Sequence, residues 1–219
     1  MESLESPWPG TAGAVLAGGR SRRMGTDKAE IEISGETLLA RAWRLVTSLV
    51  RPAWVCCSPL RPRPGYPCLV DAAEGEGPAR GVAAALEAAQ ERGAGRVLVL
   101  ACDLPRLTRK LLANLLDAPA PPDTLATVYA DAATGKAEML VGVYAVAALP
   151  YLQSGLASGE RSLFRLIPPQ RLQRLSYGPD AAPLFLNCNT KADLAGFWGR
   201  GEQGKNSVGA PFPKRENPL

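Results

Sequence analysis

Six successive apolar residues, Val97-Leu98-Val99-Leu100-Ala101-Cys102, constrain the fold of this chain more than any other stretch. A strand with one wet face alternates apolar and polar side chains. This run does not alternate, so both of its faces need cover, which is the condition of a strand in a parallel sheet with helices on either side. Shorter apolar runs at Ala14–Ala17, Trp54–Cys57 and Cys68–Val70 repeat the signal, with amphipathic segments between them. Apolar residues at 38, 42, 45, 46 and 49 fall on one face of a helix within 37–50, and Val82–Gln90 and Arg109–Leu116 read as two more. Thr124–Val128 and Met139–Tyr144 predict further strands, Ser162–Leu166 a short helix and Thr190–Trp198 a closing one. The pattern is that of β-α units around a mostly parallel sheet.

Composition excludes more chemistry than it proposes. The chain has no histidine, so imidazole bases, histidine-ligated zinc or haem, and histidine pH switches are all impossible. Five cysteines at 56, 57, 68, 102 and 188, with no C-x-x-C pair, argue for reduced and mostly buried thiols in a cytoplasmic protein. Residues 1–10 have no apolar core of a signal peptide, and the apolar run Met139–Leu152, interrupted by Gly142 and Pro150, is too short to span a bilayer. No membrane association is expected. The net charge of +4 is unevenly placed. Between Gly18 and Lys28, four basic side chains face Asp27 alone. Residues 199–219 carry a surplus of two, leaving the rest of the chain at about −1 by this count. A basic face for nucleic acid is therefore not indicated, whereas one positive loop suits a small anion. We read residues 1–11 as an N-terminal extension, 12–198 as one domain and 199–219 as a flexible tail.

That loop, Leu16-Ala17-Gly18-Gly19-Arg20-Ser21-Arg22-Arg23-Met24-Gly25-Thr26-Asp27-Lys28, directly follows the first strand. Glycines at a strand's carboxyl end let backbone N–H groups come close to a phosphate, and the crevice outside such ends is where open α/β sheets bind ligands. Arginine can then clamp phosphate bidentately and lysine can act as a point charge. The loop contains neither G-x-x-x-x-G-K-[ST] nor G-x-G-x-x-G, so it is neither a P-loop nor a dinucleotide fingerprint. Asp103, at the end of the most apolar strand, can hold Mg²⁺ or shape an Asx turn beside Pro105; its place in the same crevice favours the metal. Asn187 and Asn189 could reach metal or phosphates, but Thr190 with Asp193 also fits a capping box, with Asn189 serving only the adjacent turn.

In order and spacing, Leu-Ala-Gly-Gly-x-Ser-x-Arg-Met-Gly-x-Asp-Lys resembles the signature loop of nucleotidylyltransferases with a glycosyltransferase-A-like Rossmann fold, and in its details the molybdenum cofactor guanylyltransferase family. Asp71, Gly77-Pro78 with Gly81, Cys102-Asp103-Leu104-Pro105 and Asn187-Cys188-Asn189-Thr190 follow in family order, so the resemblance covers roughly residues 12 to 198. It implies a single-domain α/β fold, a Rossmann-like three-layer α/β/α sandwich of the nucleotidyltransferase type. It also implies Mg²⁺-dependent transfer of GMP from GTP to the terminal phosphate of molybdopterin, with release of pyrophosphate. Leu16, Ala17, Gly18, Gly19, Arg22, Lys28, Asp71 and Asp103 would bind the nucleotide. Lys28, Arg23 and Asp103 would be catalytic, and Asp103 would also be the metal ligand. Asn187, Asn189 and Arg161, the last in a Gly-Glu-Arg element, would meet the acceptor.

Other cofactor-biosynthesis proteins and apo-molybdoenzymes are the macromolecular partners the resemblance implies. Three departures stand out: Cys56-Cys57-Ser58 where asparagine commonly supports base binding, Ala79-Arg80 inside the Gly-Pro turn, and Glu138-Met139-Leu140 without the usual proline. Cytidylyl transfer to the pterin, nucleotidyl transfer to a sugar phosphate, and a non-catalytic nucleotide or cofactor carrier remain alternatives. Cys102 and Cys188, beside proposed site residues, read as packing thiols rather than nucleophiles.

Overall fold

A computed structural model of the protein describes residues 6–18, 27–70 and 77–188. Gly19, Arg22, Arg23, Asp71 and Asn189, the predicted helix Thr190–Trp198 and the tail 199–219 lie outside the described residues. In chain order, β1 (Thr11–Leu16) is followed by the two-residue strands β2 (Glu32–Ile33) and β3 (Glu36–Thr37), then α1 (Leu38–Thr47), β4 (Ala53–Cys57) and β5 (Cys68–Val70). Next come α2 (Pro78–Glu91), β6 (Arg96–Ala101), α3 (Arg109–Leu116), β7 (Ala126–Asp131) and β8 (Ala137–Ala145). The described part closes with α4 (Leu149–Ala157), α5 (Leu163–Leu166) and β9 (Leu172–Tyr177).

Seven strands form one sheet in the order β5-β4-β1-β6-β8-β7-β9, while β2 and β3 pair separately. The pairings β4–β5, β1–β4, β1–β6 and β7–β9 are parallel; β8 alone runs against its neighbours β6 and β7. The unalternating run becomes β6, in the middle of the sheet, and its side chains divide between two cores as expected. Leu98 and Leu100 join Val15, Val46, Leu112 and Leu115 under α1 and α3. Val97 and Val99 join Ala12, Ala14, Leu86 and Leu152 under α2 and α4. The result is the expected three-layer sandwich around a mostly parallel sheet.

Local chemistry sets most helix starts. Thr37 and Thr108 each accept a backbone N–H three residues ahead, at 3.1 and 3.3 Å, capping α1 and α3. α2 begins at Pro78, four residues before the apolar pattern predicts, because proline suits a first helical turn whose N–H groups lack partners anyway. Pro150 likewise sits in the first turn of α4, a helix the pattern did not reveal. β9 also goes unpredicted: it is an edge strand in which Leu172 and Leu175 break the alternation and Arg174 is exposed. Ser6, ahead of β1, lies on the body, where its Oγ donates to Leu49 O at 2.8 Å.

Candidate functional site

The connections place a crevice between β1 and β6. From β1 the chain passes through α1 to β4 on one side, then returns through α2 to β6 on the other. Where the winding reverses, the loops leaving adjacent strands part and leave room for a ligand. Leu16 faces Ala101 in register, Cys102 N–H donates to Leu16 O at 3.3 Å, and Ala17 N–H donates to Cys56 O at 3.0 Å. The cleft is lined by Leu16, Ala17 and Gly18 from the end of β1, Ala101, Cys102 and Asp103 from the end of β6, Asp27, Lys28 and Ala29, Pro78 of α2, and Leu140 of β8.

Two sequence-predicted residues meet here across 75 positions of chain. Lys28 Nζ lies 3.7 Å from Asp103 Oδ2, and the Asp103 side chain retains only 21% of its exposure. Burial pushes the Asp103 carboxyl above its usual range, while Lys28 pulls it partly back. A carboxylate in that balance gains from a second cation. A Cβ added at Gly18 would meet Cys56 O and Ser58 N at 3.8 Å each, ordinary contacts, so the protein's own packing does not demand glycine there. What glycine leaves is space beside the backbone.

Lys28 is held in place from behind. Asp27 Oδ1 accepts from Ala29 N–H at 3.0 Å and caps the 3₁₀ turn Lys28–Glu30. Asp27 Oδ2 accepts from Arg63 Nη2 at 2.6 Å, and the same nitrogen donates to Ala17 O at 3.2 Å. Arg63 is the residue that sequence reasoning misses. It sits between two prolines in a connecting loop, where a charge reads as solvated, and only the tertiary structure buries it to 6% exposure.

Asn187 is brought to the site by the backbone rather than by its side chain. Cys188 N–H donates to Asp103 O at 2.8 Å, and Asn187 itself is exposed. The approach is anchored by Phe185, stacked on Tyr177 with ring centroids 4.1 Å apart. Arg161 lies at the rim: its carbonyl oxygen would be 3.7 Å from a Cβ on Gly77, at the start of α2, with its side chain exposed. Its neighbour Glu160 is committed elsewhere, accepting from the N–H groups of Arg161 and Ser162 at 2.8 Å each.

The thiols behave as packing groups. Burial, and then the charge of Asp103, push the Cys102 thiol up to about 12. Cys188 is fully buried. Of the departures noted above, Cys56 spends its thiol on α2, donating to Gly81 O at 3.3 Å, and a Cβ on Gly81 would meet Leu16 Cδ2 at 3.1 Å. Leu140 lines the cleft, whereas Glu138 accepts from Lys136 Nζ at 2.9 Å and from the Tyr177 hydroxyl at 3.2 Å. Among the described residues no three acidic or sulfur side chains gather as a metal cage, and no helix is long and apolar enough to cross a membrane.

Comparison with known proteins converges on one group. The family model described as MobA-like NTP transferase domain matches residues 13–175. A probable molybdenum cofactor guanylyltransferase of Mycobacterium marinum is 34% identical over 198 residues, spanning 89% of this chain and 96% of the relative. One from Opitutus terrae is 35% identical over 166 residues, 74% of this chain and 80% of the relative. Among solved structures, the molybdopterin-guanine dinucleotide biosynthesis protein A of Archaeoglobus fulgidus superposes with a TM-score of 0.64 at 24% identity, covering 84% of this chain and 95% of that one, a likeness of fold.

Proposed function

Since this chain belongs to the MobA-like NTP transferase family, alongside the molybdenum cofactor guanylyltransferases, and is a nucleotidyltransferase, we propose that it transfers GMP from GTP to the terminal phosphate of molybdopterin. The observation that carries this reading is the Lys28–Asp103 pair, 3.7 Å apart in the crevice outside β1 and β6, beside the backbone of Leu16, Ala17 and Gly18. A polyphosphate there meets a cation from one strand's loop and a metal-binding carboxylate from the other's. Cytoplasmic location goes with this reading.

The donor set fits Mg²⁺ better than a transition metal. The partly buried carboxylate of Asp103, in a chain with no histidine and with no group of three acidic or sulfur side chains among the described residues, suits a hard cation that keeps its waters and takes the remaining oxygens from substrate phosphates. Asp103 would hold it, and when bound it would neutralise charge developing on the leaving pyrophosphate. Lys28 would bind the triphosphate from the opposite wall, assisted by Arg22 and Arg23. The backbone of Leu16 to Gly19 would border the α-phosphate, with the N–H groups that follow Ala17 as donors, since Ala17 N–H is spent on Cys56 O. Asn187, Asn189 and Arg161 would hold the acceptor, and Asp71 would belong to the guanine side.

In the reaction, an oxygen of the acceptor phosphate forms a bond to the α-phosphorus as the bond from that phosphorus to the β-phosphate oxygen breaks. The electron pair leaves with pyrophosphate. The attacking phosphate is already ionised at neutral pH, so the site needs orientation and charge stabilisation rather than a strong base. A chain without histidine can perform that reaction.

Pyrophosphate release measured with Mg²⁺ and molybdopterin, offering GTP, CTP, ATP and UTP in parallel, tests the proposal. GTP-selective release supports it. Release with CTP alone would move the base assignment, and no release with any nucleotide would overturn the catalytic reading.

A further inference from the structure

The loop from Gly18 to Thr26 begins and ends on one buried guanidinium. Arg63 Nη2 donates to the carbonyl of Ala17, immediately before it, and to the carboxylate of Asp27, immediately after it, at 3.2 and 2.6 Å. Nη1 reaches Glu30 Oε1 at 3.5 Å, on the turn that carries Lys28. Nε is buried and has no hydrogen-bond partner among the described residues. A buried charge is an expensive way to join two chain segments when an apolar side chain could fill the space. Its geometry explains its use. A planar fork can serve a carbonyl and two carboxylates at once, which a lysine ammonium on a flexible stem does poorly.

We propose that Arg63 is a positioning residue for nucleotidyl transfer, clamping the two ends of the phosphate-binding loop and thereby holding Lys28 opposite Asp103. The inference rests on the function proposed above. Arg63 touches neither the cleft's ligand space nor the reacting atoms; it is absent from the lining, and it acts through Ala17 and Asp27. The carbonyl of Ala17, fixed by Arg63, sets the peptide plane it shares with the Gly18 N–H, while the Ala17 N–H is fixed by Cys56 O at 3.0 Å. At the other end, Asp27 has one oxygen on Arg63 and the other on Ala29 N–H, so the guanidinium determines where the Lys28 turn starts. Arg61 stands farther from the same carboxylate, at 4.0 Å.

The test uses the full chain with Arg63→Lys, Arg63→Met and Asp27→Asn; the last keeps an acceptor for Ala29 and loses the charge. Hydrogen exchange across residues 17–28 is read without nucleotide. Steady-state transfer is then measured with GTP, Mg²⁺ and molybdopterin as the acceptor. Arg63→Lys should raise amide exchange in 17–28 while leaving β6 and α2 unchanged, and should raise KM for GTP about tenfold or more, with a smaller loss of kcat. Asp27→Asn should move the same two readouts, and adding it to Arg63→Lys should cost less than the two single effects combined. Should Arg63→Met fail to fold, the other two variants still decide. Unchanged exchange and unchanged KM in Arg63→Lys overturn the proposal, as does a lowered melting temperature with KM for GTP intact, which is the mark of a merely structural arginine. Failure of the wild type to use GTP would sink the proposed reaction alone, since the exchange experiment still reports on the clamp.

Discussion

β1 and β6 lie side by side along their whole length, yet their two ends are built differently. At the amino end, polar groups are consumed by one another. Arg96 Nε donates to Thr11 Oγ1 at 2.8 Å and Nη1 to Leu116 O at 3.3 Å, Gly95 N–H donates to Gly10 O at 2.9 Å, and Trp8 Nε1 donates to Asp117 at 2.7 Å. At the carboxyl end, Lys28 and Asp103 face each other in the cleft at 3.7 Å, with the shorter Arg63–Asp27 bond beside them. Both ends carry an arginine. One closes the fold, while the other braces residues that line the cleft. Charged groups held over a cleft by a tightly bonded support are what a preorganised site requires.

That contrast can be broken experimentally. Asp103→Ala should produce the largest effect, a loss of transfer of about a thousandfold at saturating Mg²⁺ with the melting temperature nearly unchanged, because a metal ligand and a developing charge are both affected. Lys28→Ala should follow with a loss of about a hundredfold in kcat/KM for GTP, again in a folded protein. If either variant keeps near wild-type turnover, the carboxyl end is not the reaction centre.

The amino end should behave in the opposite way. Arg96→Met should lower stability by about 2 kcal/mol in denaturant unfolding, since it removes two hydrogen bonds at a strand end, and should leave KM for GTP where it was. Thr11→Val should do the same on a smaller scale, about 1 kcal/mol. A change in KM for GTP in either variant would mean the two ends are coupled through the strands.

Thiol reactivity offers the mildest probe. Burial, and then the neighbouring Cys68 thiol, push the Cys57 thiol up to about 11. A raised thiol stays protonated as pH increases, so at pH 8 only about one Cys57 in a thousand is thiolate, and it is also shielded from reagent. Iodoacetamide at pH 8, followed by mass spectrometry, should leave Cys57 and Cys102 unmodified until the protein is unfolded. Labelling in the native state would show that the carboxyl end opens to solvent.

How legible all this was in the sequence varies with how local the cause is. The lack of alternation in Val97–Cys102 is a local property, and it led directly to β6 and its two covering layers. Arg109–Leu116 was read to the residue because Thr108 caps it and its apolar spacing is clean. The start of α2 was placed late because small residues, Ala79 and Gly81, carry its first buried turn, and they register weakly as an apolar stripe. β9 escaped because an edge strand needs only one apolar face, and the partner that makes Leu172–Tyr177 extended, β7, lies more than forty residues away.

For the site, residue types at strand ends point to an anion-binding crevice, and the resemblance of the loop and of the later motifs nominates Leu16, Ala17, Gly18, Lys28 and Asp103 within it. Distance and burial were not readable. That Lys28 and Asp103 share a cleft, that Asn187 is tethered there by its neighbour's N–H, and that Glu160 is spent on a turn are outcomes of packing. Arg63 marks the limit most clearly. In sequence it is one of several charges in a proline-rich loop, and its role follows only from being driven into the interior, where Ala17 O and the Asp27 carboxylate become its partners. A sequence determines which groups a chain can offer, while burial, a property of the whole fold, decides which of them must find one another.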